Sequence, residues 1–159
     1  MPGEITIYTD GASRGNPGPG GYGVVLISGK HRLEKSAGFR LTTNNRMELM
    51  AVIEGLEALK IHGSKVVVYT DSKYVADSVE KGWVFQWESK AFKKKKNPDL
   101  WIRFLKIYRK HNVRLVWIKG HADNTENEIC DRLAVNACSG NGLLEDTGYY
   151  SDDENNILL

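Results

Sequence analysis

The sequence is poor in cysteine and has no long apolar run. Its 159 residues include two cysteines, Cys130 and Cys138, whose number and spacing fit neither a zinc knuckle nor a disulfide framework. Both fall in one predicted helix, so we expect reduced, half-buried thiols, which favours a cytosolic protein. No apolar stretch approaches the roughly 20 residues that cross a bilayer. The chain does not open on a basic region followed by an apolar run, so we expect no secretion signal. We therefore predict a cytoplasmic protein that does not enter a membrane.

A large excess of either charge is also absent. The formal net charge is +2, and the chain is long enough for one domain with a real core but too short for two. The charges are unevenly distributed, however. Lysines crowd a short segment at Lys90 and at Lys93, Lys94, Lys95 and Lys96, while Asp152, Asp153 and Glu154 make the C-terminal tail acidic. A local basic block beside a nearly neutral remainder suggests a polyanionic partner at one place on the surface.

The same strand ending occurs twice in the chain. Residues 5–11 (Ile-Thr-Ile-Tyr-Thr-Asp-Gly) form a predicted strand that ends at Asp10, and residues 66–72 end in the same way at Asp71. With a helical stretch between them, the two strands are most simply parallel neighbours in one sheet. Asp10 and Asp71 would then emerge side by side at the carboxyl edge, where sites of open α/β sheets lie. Two like charges so close together call for a cation between them.

The remaining pattern predicts an α/β protein. Residues 11–23 contain a G-x-G-x-x-G, but a strand rather than a helix follows, so we interpret the segment as a wide turn and not as a dinucleotide site. Besides residues 5–11, strands are predicted at residues 24–27, 33–39, 65–70 and 113–118. Helices are predicted at residues 46–60, 71–80, 97–110 and 125–138.

Several acidic residues allow both a structural and a functional interpretation. Glu48 could form a capping box with Asn45, yet at about 100° per residue it also lies on an apolar helix face, where a charge is costly unless paired or metal-bound. Asp71 could simply cap the helix that follows it. Thr125 and Glu128 predict a capping box for the last helix. Asp131 lies on the flank of that helix's apolar stripe and by itself would be an exposed helix residue.

The segment of residues 82–96 mixes aromatic and basic residues. A run of lysines is usually a solvated face or resembles a nuclear localisation signal, and aromatic residues at such spacings often serve packing. Here the combination favours a nucleic-acid groove, in which lysines contact phosphates and rings rest against sugars or bases.

Six separated motifs occur in the order found in the type 1 ribonucleases H, and the chain resembles a bacterial member over about residues 4–150. The motifs are Asp10-Gly11, Gly15-Asn16-Pro17-Gly18, residues 43–49 (Thr-Asn-Asn-Arg-Met-Glu-Leu), Thr70-Asp71-Ser72, Lys119-Gly120-His121, and Asn127-Glu128 with Asp131. Residues 144–149 (Leu-Glu-Asp-Thr-Gly-Tyr) also resemble the end of bacterial members. The resemblance implies a ribonuclease H-like fold, with a five-stranded mixed sheet of three antiparallel and two parallel strands flanked by helices. Residues 1–150 would form the catalytic domain, with a basic protrusion at about 81–98, and residues 151–159 an acidic tail.

The resemblance implies hydrolysis of the RNA strand of RNA–DNA hybrids, leaving 5′-phosphate and 3′-hydroxyl ends. Asp10, Glu48, Asp71 and Asp131 would hold two Mg²⁺ ions, with Mn²⁺ as an alternative ion. His121 corresponds to a loop histidine that shuttles a proton or helps product leave. Asp123 stands where the family often has glycine. A monomer without an obligate protein partner is expected.

The resemblance also implies which residues contact the substrate. Ser13, Asn16, Asn44 and Asn45 would contact the RNA strand, whose 2′-hydroxyl distinguishes it from DNA. Thr43 and Asn97 would hold a DNA phosphate, although Leu41 stands where many members have arginine. The residues that would grip the DNA strand are Trp83, Trp87, Phe92, Lys93, Lys94, Lys95 and Lys96. Two alternatives stay open: a non-catalytic hybrid-binding module, and a DNA-directed nuclease of the same fold.

Overall fold

The protein folds around one five-stranded sheet, as described by a computed structural model for residues 3–120 and 124–149. The strands are β1 (Ile5–Ser13), β2 (Gly18–Ser28), β3 (His31–Thr42), β4 (Lys65–Thr70) and β5 (Asn112–Trp117). The helices are α1 (Asn44–Glu57), α2 (Lys73–Glu80), α3 (Trp83–Ser89), α4 (Pro98–Tyr108) and α5 (Thr125–Ser139). None of the helices within the described residues is long and apolar enough to span a membrane.

The strand order confirms the predicted mixed sheet. The order is β3-β2-β1-β4-β5, with antiparallel pairing from β3 to β1 and parallel pairing from β1 to β5. Ile5 pairs with Val66, and Tyr8 pairs with Tyr69. Each of these residues of β1 therefore pairs with the residue that occupies the same place in the second copy of the repeated strand ending. The two strands are parallel neighbours, as predicted.

The glycine-rich stretch is strand rather than a wide turn, which corrects the sequence prediction. β1 continues past Asp10 to Ser13, and β2 already begins at Gly18. Two of the glycines, Gly21 and Gly23, are explained by the close approach of α5. A Cβ on Gly23 would lie 2.3 Å from the Cys130 carbonyl oxygen, and one on Gly21 would lie 2.7 Å from the Ala134 carbonyl oxygen. Glycine in a strand commonly marks such a close backbone approach.

Helices cover both faces of the sheet. A Cβ on Gly55 of α1 would contact Ile7 and Val24, whereas the neighbouring Gly23 faces α5. Because successive strand residues point to opposite faces, α1 and α5 lie on opposite sides. α1 is buried along most of its length, and α4 packs against it.

The last helix differs from its prediction at its start. α5 is capped by Asn124, whose side chain accepts a hydrogen bond from the Asn127 amide, so the capping box predicted at Thr125 is wrong. The two cysteines on α5 are free, as expected, and both are buried rather than half-buried. Burial raises the pKa of the Cys130 thiol to about 12, which keeps it protonated and unreactive.

Candidate active site

The register of β1 and β4 brings Asp10 and Asp71 together. Asp10 lies inside β1, opposite Gly23 of β2, and Asp71 is the first residue after β4. Continuing the parallel pairing from Tyr8–Tyr69 by two residues places the two aspartates at the same level of the sheet. Asp10 is held by its pairing with Gly23, within a ladder between β1 and β2 that runs from Thr6 to Ser13, which fixes its backbone.

The start of α1 brings Glu48 to the same place. The helix is capped by Thr43, whose hydroxyl accepts a hydrogen bond from the Arg46 amide at 3.2 Å. The alternative capping box of Asn45 with Glu48 is therefore wrong. The Glu48 carboxylate instead accepts a hydrogen bond from the Gly11 amide, which lies 2.9 Å from Asp10 Oδ1 as well.

Gly11 allows α1 to dock directly on β1. A Cβ at Gly11 would lie 2.4 Å from the Glu48 backbone nitrogen, so any larger residue would push the start of α1 away from the strand. The glycine that follows Asp10 is thus required by the packing that carries Glu48 into the site.

The three carboxylates form one compact cluster. One oxygen from each of Asp10, Glu48 and Asp71 lies within 4.8 Å of the others. Burial, and next the charge of Asp71, raise the pKa of Asp10 to about 8. Burial is also the main cause that raises the pKa of Glu48 well above its ordinary range, with Asp71 and Asp10 adding to it. At neutral pH the cluster alone would retain protons unless a cation replaced them.

Asp71 is not used as a helix cap. The cap of α2 is Ser72, whose hydroxyl accepts a hydrogen bond from the Val75 amide at 3.2 Å, so the capping interpretation of Asp71 is wrong. Asp71 Oδ1 is buried and has no hydrogen-bond partner within the described residues. A buried carboxylate oxygen without a partner is costly, and this one is free to act as a ligand.

The donor set fits a divalent metal ion. Within residues 3–120 and 124–149, no lysine or arginine lies at ion-pair distance from the three carboxylates. Carboxylate oxygens in this number are ligands that Mg²⁺ prefers. Asp131 of α5 is half-buried and lines the same cleft of about 410 Å³, and its proximity helps to raise the pKa of Asp10. It lies outside the compact group of three, so it borders the cluster from the α5 side.

His121 and Asp123 lie outside the described residues, so their predicted parts in the site stay predictions. The chain that leads to them passes beside the cluster. A Cβ on Gly120 would lie 3.0 Å from Asp71 Oδ2, and the Trp117 indole donates a hydrogen bond to the Asp71 carbonyl oxygen at 3.0 Å.

Two of the four predicted RNA-contacting residues line this cleft, and a third is hydrogen-bonded to one of them. Asn44 and Asn45, in the first turn of α1, are exposed and line it. Asn16, in the turn after β1, accepts a hydrogen bond from the Asn44 amide at 3.1 Å, and Ser13 is the last residue of β1. Asn44 and Asn45 are therefore neighbours of the carboxylates, and Asn16 is joined to them through the Asn44 amide.

The predicted basic protrusion consists of α3 and the turns that follow it. Lys93, Lys94, Lys95 and Lys96 are exposed, and Trp83 is 40% exposed. Trp87 is half-buried, with the Lys95 ammonium 5.3 Å from its ring centroid. Phe92 is only 8% exposed and belongs to the core, so its ring anchors the protrusion and presents little surface to a ligand.

A second groove connects the protrusion to the acidic cleft. It has a volume of about 220 Å³, is mainly apolar, and is lined by Asn45, Tyr74, Trp87, Lys95, Lys96 and Asn97. Two of these residues, Asn45 and Tyr74, also line the acidic cleft. The two depressions therefore adjoin, and one elongated ligand could occupy both.

Sequence reasoning missed the buried ion network behind this groove. Arg46 is 1% exposed and donates to the carboxylates of Asp146 (2.7 and 2.8 Å) and Asp99 (2.7 and 2.9 Å). It also donates to the Asn97 side chain at 3.3 Å. Asn97 occupies the cap position of α4 without capping it through its side chain. One sequence signal could have pointed to this network, since Arg46 and Asp146 both fall in the motifs that carry the family resemblance.

The five-stranded mixed sheet and the carboxylates at the edge of its central strands define an α/β protein with an acidic site of the kind that binds metal ions. The sequence profile of the RNase H family matches residues 2–139, so the chain belongs to the RNase H family. Ribonuclease H of Trichodesmium erythraeum is 56% identical over 151 residues, covering 92% of this chain and 96% of that protein. Ribonuclease HI of Synechocystis sp. is 49% identical over 154 residues, covering 93% and 96%.

Solved structures agree with this assignment. LC9-RNase H1, described as a type 1 RNase H with the type 2 active-site motif, superposes with a TM-score of 0.78 at 33% identity, covering 93% of this chain and 79% of that one. LC11-RNase H1, solved in complex with RNA/DNA hybrid, superposes with a TM-score of 0.65 at 32% identity, covering 85% of this chain and 96% of that one.

Proposed function

We propose that this protein is an endonuclease that hydrolyses the RNA strand of RNA–DNA hybrids and leaves 5′-phosphate and 3′-hydroxyl ends. The observation that carries the proposal is the cluster of Asp10, Glu48 and Asp71 in a chain of the RNase H family. The crystal structure of the similar LC11-RNase H1 with RNA/DNA hybrid supports the hybrid as the ligand class.

The four acidic residues Asp10, Glu48, Asp71 and Asp131 would hold two Mg²⁺ ions. When bound, such ions activate a water for attack on the phosphodiester and neutralise charge on the leaving oxygen. The chain's own contribution is to fix the ligands. Strand pairing immobilises Asp10, and the Gly11 amide orients the Glu48 carboxylate. The unpartnered Asp71 oxygen is left for the metal.

The two adjoining depressions suit the two strands of a hybrid. The exposed amides of Asn16, Asn44 and Asn45 are suited to read 2′-hydroxyls of a strand that crosses the acidic cleft. The groove beside Trp87 and the lysine run suits the phosphates and sugars of the second strand. Thr43 and Asn97 would hold a phosphate of that DNA strand. His121 would serve as the proton shuttle or help product leave.

The same proposal covers the setting of the reaction. Residues 1–150 would act as the catalytic domain and residues 151–159 as an acidic tail. The protein would act in the cytoplasm, as a monomer and without an obligate protein partner.

The direct test incubates the protein with labelled RNA–DNA hybrid, duplex DNA and duplex RNA, each with Mg²⁺ or with EDTA. We expect cleavage of the RNA strand of the hybrid alone, and only with the metal. End-labelling should identify 5′-phosphates and 3′-hydroxyls on the products.

Two outcomes would contradict the proposal. Cleavage of duplex DNA in preference to hybrid would indicate a DNA-directed nuclease of the same fold. Tight binding of hybrid without cleavage under any divalent metal would indicate a non-catalytic binding module.

A further inference from the structure

The acidic tail, residues 151–159, is a sequence feature that the proposed function does not use. Three acidic residues are followed, after two asparagines, by three apolar ones: Asp152, Asp153, Glu154, Ile157, Leu158 and Leu159. Residues 150–159 lie outside the described residues, but the point from which they start is fixed by Gly148. A surface that suits this segment would present cations nearer to that point and apolar side chains further from it.

The described chain ends beside the start of α4. A Cβ on Gly148 would lie 1.7 Å from Asp99 Oδ2, so Gly148 packs directly against the Asp99 side chain. Gly148 and Arg103 line one hollow, and Arg103 also lines a second hollow further along α4. The two hollows therefore adjoin, and a chain that continues from Gly148 along α4 can enter the second one.

The second hollow, called here the α4 hollow, has a surplus of positive charge. It has a volume of about 370 Å³ and is lined by Glu57, Leu59, His62, Arg103, Lys106, Ile107 and Lys110. Glu57 and Arg103 neutralise each other, since the guanidinium donates to the carboxylate at 2.6 and 2.9 Å. Lys106 and Lys110 are exposed and have no ion pair within residues 3–120 and 124–149. Two ammonium groups are thus left for an acidic ligand.

Apolar side chains lie at the far end of the same surface. The Lys110 carbonyl oxygen accepts a hydrogen bond from the Gly63 amide at 2.7 Å, so the loop before β4 lies against the end of α4. In that loop, Ile61 is 73% exposed, the largest fraction among the large apolar side chains of the described residues. Leu59 lines the α4 hollow itself. Covering these side chains would remove apolar surface from water.

The length and the order of the tail match this surface. From Asp99 to Lys110 the path along α4 is roughly 16 Å, at 1.5 Å per residue. Residues 150–159 can span up to about 33 Å when extended. Lys106 and Lys110 are met before Ile61 on this path, just as the acidic residues of the tail precede its apolar ones.

We propose that the acidic tail of this chain docks along α4 in the α4 hollow. Its acidic residues lie against Lys106 and Lys110, and its apolar residues cover Ile61 and Leu59. Exposed charge pairs contribute little individually, so the apolar contacts add the remaining attraction. A docked tail keeps its acidic residues from competing with a polyanionic ligand for the lysine run of the protrusion. The inference does not depend on the proposed function, since it stands whether or not the protein cleaves a hybrid.

A nitroxide spin label on Asn156→Cys, in the 159-residue chain, tests where the tail lies. The label broadens the NMR signals of backbone amides near it, whereas Cys130 and Cys138 are buried and should stay unlabelled. We expect the strongest broadening, among amides outside the tail, at Ile61 and Lys110.

Charge reversal tests whether the lysines hold the tail. Lys106→Glu should reduce the paramagnetic broadening at the Lys110 amide by about twofold to fivefold, as expected for the loss of an exposed charge pair. Adding Lys110→Glu should reduce it further. Combining this double variant with Asp152→Lys and Asp153→Lys should restore the broadening.

The control is Arg132→Glu, the same charge reversal at an exposed residue of α5. α5 lies on the opposite side of the sheet from α1, against which α4 packs, so this variant should leave the broadening unchanged. If Lys106→Glu and Arg132→Glu behaved alike, the lysines of the α4 hollow would not hold the tail and the inference would be wrong.

The pattern of broadening also distinguishes other places for the tail. Strongest broadening at residues 93–96 would place the tail on the lysine run and overturn the inference, as would broadening without preference among exposed amides. A mixture of spin-labelled protein with isotope-labelled protein that lacks the nitroxide identifies exchange between copies. Broadening at Lys110 that is as strong in this mixture as within one chain would show that a second copy supplies the tail, contrary to the inference.

Discussion

At the scale of single residues, the site concentrates negative charge where water is scarce. Asp10 and Glu48 are 6% and 4% exposed, and both carry raised pKa values because burial disfavours their charged forms and neighbouring carboxylates repel them. Such an arrangement costs stability in the absence of metal. The cost is explained if the cluster exists to bind a cation, which would favour all the charged forms together.

This charge crowding predicts how stability without metal depends on pH. The folded-state pKa of Asp10 is about 8, whereas an unfolded aspartate titrates near its ordinary value of about 4. Between these values the folded state holds a proton that the unfolded state has lost. The free energy of unfolding in EDTA should therefore fall as the pH rises from about 4 to about 8.

Urea unfolding in EDTA at a series of pH values measures this effect, with Asp10→Asn as the reference. The variant cannot titrate at position 10, so its stability should fall less steeply than that of the wild type, and saturating Mg²⁺ should reduce the difference. If the wild type instead gained stability relative to the variant as the pH rose through this window, Asp10 would not have a raised pKa.

At the scale of elements, small residues set how closely helices approach the sheet. Gly23 faces the backbone of α5, and a Cβ there would lie 2.3 Å from a carbonyl oxygen. We expect Gly23→Ala to push α5 outward and lower the free energy of unfolding by about 1–3 kcal/mol. Asp131 would move with α5, so cleavage of hybrid should also slow.

Gly140→Ala is the matched control, because a Cβ there would meet nothing closer than 3.5 Å and the backbone conformation is ordinary. Urea unfolding of both variants should show a loss for Gly23→Ala only. Equal stabilities would mean that α5 does not depend on a glycine in β2.

The elements also show what the sequence could and could not predict. The parallel pairing of β1 with β4 followed from the repeated strand ending, because a shared ending in two neighbouring strands fixes their register. The start of β2 could not be predicted in this way, because Gly21 and Gly23 are required by the approach of a helix over 100 residues further along the chain. The cap of α1 was predicted at Asn45 but is Thr43. Several residues that favour the cap position follow one another there, and their capping propensities alone do not identify which one caps the helix.

At the scale of the whole molecule, one buried arginine joins three distant parts of the chain. Arg46 connects the start of α1 with Asn97 and Asp99 at the start of α4 and with Asp146 in the C-terminal segment. Thr42 donates to the same Asp146 carboxylate at 2.7 Å. The family resemblance marked Arg46 and Asp146, but pairing across 100 residues leaves no local pattern, so their contact could not be predicted.

Removing Asp146 should therefore destabilise the fold. Asp146→Ala leaves Arg46 buried with only part of its hydrogen bonding, and we expect a loss of about 3–5 kcal/mol in the free energy of unfolding. Glu145→Ala is the matched control, because its ion pair with Arg40 is on the surface, with side chains 46% and 63% exposed, and should contribute less than about 1 kcal/mol. Similar effects of both variants in urea unfolding would show that the buried network does not stabilise the molecule.

The central claim is that residues far apart in the chain form one metal-binding acidic site beside a groove for a hybrid. Its most direct test is single-turnover cleavage of prebound hybrid in Mg²⁺ by Asp10→Asn, compared with Asp77→Asn, which changes a carboxylate of α2 that pairs with Lys81. We predict that Asp10→Asn binds hybrid but cuts it at least about 100-fold more slowly, while Asp77→Asn cuts at the wild-type rate. Cleavage by Asp10→Asn at the wild-type rate would contradict the account.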